Sequence, residues 1–229
     1  MPATAQAQAI GCSVPDRVPV PRVEQPPRGE PVRRPPVTGY LLAMSWSPEH
    51  CAGVRNPEGA RDRFQCSGEN GRFGWVLHGL WPETDDADYP QWCRPARIVP
   101  QPVLKKHLCM TPSAQLIQHE WAKHGTCMSP HPAAYFRSAE MLFRAVRFPD
   151  MQALATRRQT AGDVRRAFAA VNPGVTPSMI GVTSDRQGWL KEVRLCLGLR
   201  MKPAHCKSFQ VGVRDGRSLR VRSMPEPQR

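Results

Sequence analysis

The sequence lacks any run of about 18 consecutive apolar residues, so it does not encode a membrane-spanning helix. Its eight cysteines include no Cys-x-x-Cys pair, which removes the short spacing of zinc ribbons and thioredoxin-like redox sites. It has no internal repeat, and no basic amphipathic helix with an aromatic face for docking on anionic lipid. Acidic residues are scarce: 19 Asp+Glu stand against 32 Lys+Arg, giving a formal net charge of +13. Such a surface favours anionic partners such as nucleic acid or acidic polysaccharide, although a cationic surface kept for solubility would have the same composition. What remains is 229 residues, 40% hydrophobic and 22% charged, enough for one sizeable domain with its own core.

The cysteines are Cys12, Cys51, Cys66, Cys93, Cys109, Cys127, Cys196 and Cys206. An even count at wide spacing reads as four disulfides and an oxidising compartment. Arithmetic leaves on the order of a hundred connectivities open. The small-residue run Ala3–Ala9 (ATAQAQA) matches the pattern that precedes signal-peptidase cleavage, without the basic and apolar parts of a signal. The chain therefore reads as starting just inside that region, and as periplasmic or secreted.

Between Pro15 and Pro36 lie eight prolines, several arginines and hardly any large apolar side chain. Residues 1–37 are thus expected to be an export-signal remnant followed by a basic proline-rich arm, extended and mobile. The folded domain, 38–229, opens with Gly39–Trp46 (GYLLAMSW), a short apolar run that suggests a buried strand. Arg72–Pro82 alternates like a strand and is expected to break at Gly79 and Pro82, with His78 near its end. Helices are expected at Ser113–Gly125, with Ser113 as N-cap, at Pro132–Val146 and at Thr160–Val171. Trp189–Leu199 and Ser208–Arg214 read as strands, so the mixture is of α+β class.

Two segments concentrate chemistry: His78–Pro82 (HGLWP) and His119–Cys127 (HEWAKHGTC). The second is not a zincin helix, because its histidines are five residues apart where metal ligation from one face needs four. On an ideal helix the rings of His119 and His124 would diverge by roughly 140°. His119 with Lys123, and Glu120 with His124, form two neighbouring rows, leaving Trp121 and Ala122 to pack inward. Glu120 beside His124 is expected to raise that histidine's pKa. Lysine and a protonated imidazole suit a phosphate, and His78 could add a second proton-transfer group. This is equipment for metal-free phosphoryl transfer, in which one imidazole takes a 2′-OH proton and another protonates the departing 5′-oxygen. A lone histidine or a charged helix face is more often structural or merely solvated, and the case rests on their combination.

These segments, with Ser45–Pro48 and Cys51, resemble the ribonuclease T2 family from about Tyr40 to Cys206. The resemblance implies an α+β fold with a central antiparallel sheet flanked by helices, and a ribonuclease T2-like catalytic domain over 38–229. It implies a cyclising endoribonuclease of broad base preference, working on RNA through a 2′,3′-cyclic phosphate with no metal or cofactor, and expected to be a monomer. By matched position His78 is the general acid, His124 the base, His119 a phosphate contact, and Glu120 and Lys123 stabilise the transition state. Trp81, Glu83 and Tyr89 would hold the upstream base, and Pro112 and Ser113 lie near a second base site. The disulfides it suggests are Cys51–Cys66, Cys93–Cys127 and Cys196–Cys206, leaving Cys12 to pair with Cys109. The proline-rich arm and the short stretch between Cys93 and Cys109 depart from the family pattern. A catalytically silent T2-like protein that holds RNA or another polyanion is the alternative.

Overall fold

The computed structural model of the chain describes residues 9–224. Of the run read as a signal remnant, all but Ala9 lies outside those residues.

Gly39–Trp46 (β2) forms a strand because aromatic and long apolar side chains recur at every second position, with Leu42, Met44 and Trp46 on the core side. It pairs antiparallel with Trp75–Glu83 (β4) on one side and Leu190–Gly198 (β7) on the other. Ile180–Ser184 (β6) completes an antiparallel sheet in the order β4-β2-β7-β6. Short pairs flank it: Ala9–Ile10 (β1) with Arg72–Phe73 (β3), and Gln159–Thr160 (β5) with Ser218–Leu219 (β8). The helices are Ser47–Ala52 (α1), Arg63–Cys66 (α2), Gln101–His107 (α3), Ala114–Glu120 (α4), Thr126–Met128 (α5), Pro132–Ala145 (α6), Met151–Ala155 (α7) and Ala161–Val171 (α8).

Phe136 and Phe143 of α6 and Phe168 of α8 close the core over one face of the sheet, against Trp75, Leu77 and Val193. Thr160 caps α8 through a reciprocal pair with Asp163. The Tyr135 hydroxyl bonds both backbone groups of Leu80, at 3.0 and 3.3 Å, tying α6 to β4. The other face of the sheet carries Leu41, Trp81 and Arg194 and is left for the site.

Several expectations change. His78 lies within β4, not near its end, because the strand continues through Gly79 and Pro82. Proline is tolerated there because β4 is an edge strand. The helix expected over Ser113–Gly125 starts as drawn, with the Ser113 hydroxyl accepting from the Leu116 N–H at 3.2 Å. It then widens at Trp121–Gly125 into a π turn, where the N–H of Thr126 reaches back five residues to the Trp121 carbonyl. Gly125 does not stop it; a Cβ there would overlap the rings of Trp121 and Tyr135. Ser208–Arg214 is not a strand. Gly212 sits at φ +72, and the carbonyls of Val211 and Val213 accept from the buried Arg165 guanidinium, so the segment offers only a bridge to Val182. Strand β6 and helix α3 escape the sequence patterns, being short and flanked or opened by proline.

The proline-rich arm is extended, but it is packed. Val18 and Pro21 are buried, Arg33 pairs with Gln91, and Arg34 donates to the Cys93 carbonyl at 2.9 Å. All four disulfides join the pairs that the resemblance suggested, including Cys12–Cys109, which anchors the arm.

Loop-closure entropy ranks these bridges. Cys12–Cys109 closes 97 residues and Cys51–Cys66 closes 15. Removing the first pair by Cys→Ala should cost as much as about 4.7 kcal/mol, and the second about 3 kcal/mol. Denaturant unfolding of the two double variants checks the order, and equal losses would contradict it.

Candidate active site

Two backbone irregularities bring the site together. Pairing between β2 and β4 slips at Ala43/Met44: Met44 faces Leu77 and Ala43 faces Gly79, so His78 is the unmatched residue of a bulge. The bulge keeps Trp75, Leu77 and Leu80 in the core while His78 and Trp81 face the opposite side. The π turn has the complementary effect on the helix. A five-residue hydrogen-bond repeat brings His119 and His124 toward one face, and the 140° divergence of an ideal helix does not apply.

A cavity of about 470 Å³ receives them. His78, Trp81, Glu83, Tyr89, His119, Glu120, Lys123 and His124 all line it. Pro112 and Ser113 do not; with His119 they line a neighbouring cavity of about 620 Å³, one wall of which is the arm. Cys93–Cys127 ties the Tyr89–Cys93 segment to the end of the helix that carries His119 and His124, and the Trp92 N–H donates to the Lys123 carbonyl at 2.7 Å. Trp92 itself is held at φ +56, a conformation that surrounding contacts must impose on a bulky residue.

His78 is half-buried between two carboxylates. Its Nδ1 lies 2.6 Å from Glu192 and its Nε2 3.5 Å from Glu120. Burial would lower its pKa, but the Glu192 hydrogen bond and the two negative charges outweigh burial and raise it. Glu192 also accepts from Arg194 Nε at 2.6 Å and Ser45 Oγ at 3.3 Å. Against a desolvation penalty, His78 and Arg194 bring its pKa down to about 2. Glu120 is buried, accepts from Trp81 Nε1 at 2.7 Å, and has its pKa raised by desolvation. A Cβ at residue 79 would overlap this carboxylate and the indole, so only glycine fits there.

His124 is the opposite case, and the expectation that Glu120 would raise its pKa does not hold. Glu120 faces Trp81 and His78 instead. Burial, then the charges of Lys123, His119 and His78, push the His124 pKa well below the ordinary value. Its buried Nδ1 has no hydrogen-bond partner among the described residues. One indole touches both rings: Trp81 stacks on His124 at 5.4 Å and meets His78 edge-on at 5.1 Å.

Sequence reasoning missed Glu192, Arg194, Phe209 and Gln210. Glu192 and Arg194 carried a signal, since opposite charges two apart within an apolar strand share one face. Phe209 and Gln210 carried none, because they reach the cavity from an irregular segment. Gln210 donates to the buried Glu83 carboxyl at 3.2 Å, and desolvation raises the pKa of Glu83. The Trp81 ring is engaged by His124 and by the Arg194 guanidinium at 5.2 Å, and Tyr89 by His124 and Arg33, whereas Phe209 stays 41% exposed.

Glu192→Gln should lower the His78 pKa while leaving His124 nearly unchanged. Imidazole titration by NMR reads both rings, and an unmoved His78 would refute the dominance of that carboxylate.

The Ribonuclease T2 family model matches residues 37–206. A probable ribonuclease of Haemophilus influenzae is 38% identical over 128 residues, covering 51% of this chain and 46% of that protein. A ribonuclease of Aeromonas hydrophila is 44% identical over 89 residues, 38% of this chain and 36% of its own length. The matched stretch thus spans less than half of either relative. Trichomaglin, a novel S-like ribonuclease, superposes over 83% of this chain and all of its own with a TM-score of 0.64 at 18% identity. RNase NT, solved with 5′-AMP, covers 82% and 98% with a TM-score of 0.59 at 20% identity, so both speak for the fold. With the family match spanning most of the chain and the antiparallel sheet in place, the chain belongs to the ribonuclease T2 family.

Proposed function

We propose that the protein is an endoribonuclease of broad base preference that cleaves single-stranded RNA by metal-independent transesterification through a 2′,3′-cyclic phosphate. The observation that carries this is a matched pair of imidazoles on one indole, one with its pKa raised by two carboxylates and one with its pKa depressed by burial and positive charge. His124, pushed toward its neutral form, takes the 2′-OH proton. The 2′-oxygen attacks phosphorus, the P–O5′ bond breaks, and the His78 imidazolium gives its proton to the departing 5′-oxygen. Glu192 holds that imidazolium, and Glu120 lies at its Nε2. His119 and Lys123 meet the phosphate oxygens and stabilise the charge of the crowded phosphorus. Hydrolysis of the cyclic product runs the same steps backward, with water in place of the 5′-hydroxyl.

Tyr89 and Phe209 give the upstream base apolar walls, and Glu83 with Gln210 gives it polar edges. Stacking of this kind tolerates every base, which supports broad preference. Four disulfides mark the protein as extracytoplasmic, and the periplasm or the medium is the proposed place of action. No helix of the described residues is long and apolar enough to cross a membrane.

A dinucleoside phosphate incubated in EDTA should yield the cyclic phosphate, with RNA cut and DNA spared. His78→Ala and His124→Ala should each lower kcat by about 10²–10⁴-fold. Tight RNA binding without turnover would instead mark a silent polyanion-binding protein.

The pH profile of kcat/KM should be a bell. Its acid limb follows His124, which must lose a proton, and lies below the ordinary imidazole pKa of about 6.5. Its alkaline limb follows His78, which must keep one, and lies above that value. A flat profile across roughly pH 4–8 would contradict the paired-imidazole reaction.

A further inference from the structure

The arm meets the site through two carboxylates. Glu24 Oε2 lies 3.4 Å from His119 Nδ1, and Glu30 Oε2 lies 2.8 Å from Lys123 Nζ. These are the two groups of the catalytic helix suited to bind phosphate oxygens. Glu30 also accepts from Trp92 Nε1 at 3.2 Å, and its pKa is lowered, first by the Lys123 hydrogen bond, so it stands there as an anion. Upstream, Gln115 brackets the peptide of Arg22: its Oε1 accepts from the Arg22 N–H at 2.8 Å and its Nε2 donates to the Arg22 carbonyl at 3.2 Å. Gln115 Nε2 also donates to Glu24.

Charge and hydrogen bonds, not apolar packing, hold this stretch down. From Arg22 to Val32 every residue is exposed except Glu24 and Glu30. The apolar side chains point the wrong way for a packed segment, with Val23 at 53% and Val32 at 48% exposure. A segment that turns its valines to water and its two carboxylates to Lys123 and His119 is built to occupy those two groups. Its ends are fixed, at Cys12–Cys109 and at the start of β2, so it can bow away without leaving.

We propose that the arm is an internal stand-in for substrate phosphate: Glu24 and Glu30 occupy His119 and Lys123 until a phosphate group of RNA displaces them. The proposal rests on the ribonuclease reading for the nature of the competitor. Its geometry requires only an anion that binds the same two cations. The arm thereby sets the affinity of the site for any phosphodiester, and weak or short anions are excluded in favour of a polyanion that can replace both contacts.

The test is the full chain carrying Glu24→Gln and Glu30→Gln, against wild type and a charge-matched control, Asp16→Asn with Glu58→Gln. Two readouts are taken: KM and kcat on a dinucleoside phosphate, and the Kd of inorganic phosphate by calorimetry. Loss of two competing ion pairs should lower KM and the phosphate Kd by about fivefold or more, with kcat unchanged and no such shift in the control. KM and Kd matching the control, or a KM that rises, would overturn the proposal. Tighter phosphate binding in a protein that cleaves nothing would uphold the arm's role and refute the ribonuclease reading. Brisk cleavage with unaltered KM and Kd would do the reverse.

Discussion

An imidazole pinched between two buried carboxylates governs the layout of this molecule. Burying an anion is costly unless its lone pairs are met, and here each carboxylate carries its own donors. Glu192 has Arg194 and Ser45 besides His78, and Glu120 has the Trp81 indole. The remaining attraction of both falls on one ring, His78. The sheet and the helix make that convergence possible: β7 delivers Glu192 across β2, α4 delivers Glu120, and His78 on the edge strand β4 meets both. Gly79 is the clearest sign of the constraint, since any side chain there would collide with the Glu120 carboxylate.

Much of this was legible in the residues, and the parts that were not share a cause. The strand at Gly39–Trp46, the helices near Ser113 and Pro132, and the cavity residues His78, Trp81, His119, Glu120, Lys123 and His124 follow from apolar periodicity and from two compact motifs. Periodicity assumes a repeat of 2 in strands and 3.6 in helices. The bulge at His78 and the π turn at Trp121–Gly125 each shift that phase by one residue, and both occur inside the motifs. The phase error misdirected Glu120 toward His124, whereas the structure turns it to His78. Glu192, whose spacing to Arg194 was a visible signal, could not be tied to His78 from the sequence for a different reason. Its partner is 114 residues away, and only the β2–β7 pairing brings it near.

The proline-rich arm shows the same limit from composition. A segment poor in large apolar residues cannot bury a core, and Val23 and Val32 do remain in water. It does not follow that the segment is unattached. Docking here comes from two glutamates whose partners lie on a helix nearly a hundred residues later, and nothing in the local sequence announces them. The disulfide to Cys109 adds a covalent reason for the arm to stay close.

The protonation asymmetry of the two imidazoles links these features. The charges of Lys123 and His119 are among the causes that depress the His124 pKa, and they are also the charges offered to phosphate. Any anion that settles on them weakens their field at His124 and strengthens that ring as a base. On the proposed reading, phosphate binding and the strength of His124 as a base are coupled through Lys123 and His119. Glu30 on Lys123 already supplies part of that neutralisation in the free protein. The His124 ring is then less depressed than an unpaired Lys123 would leave it, while His78 is paired with Glu192. One ring responds to the ligand and the other does not, because one is surrounded by positive charge and the other is clamped by negative charge.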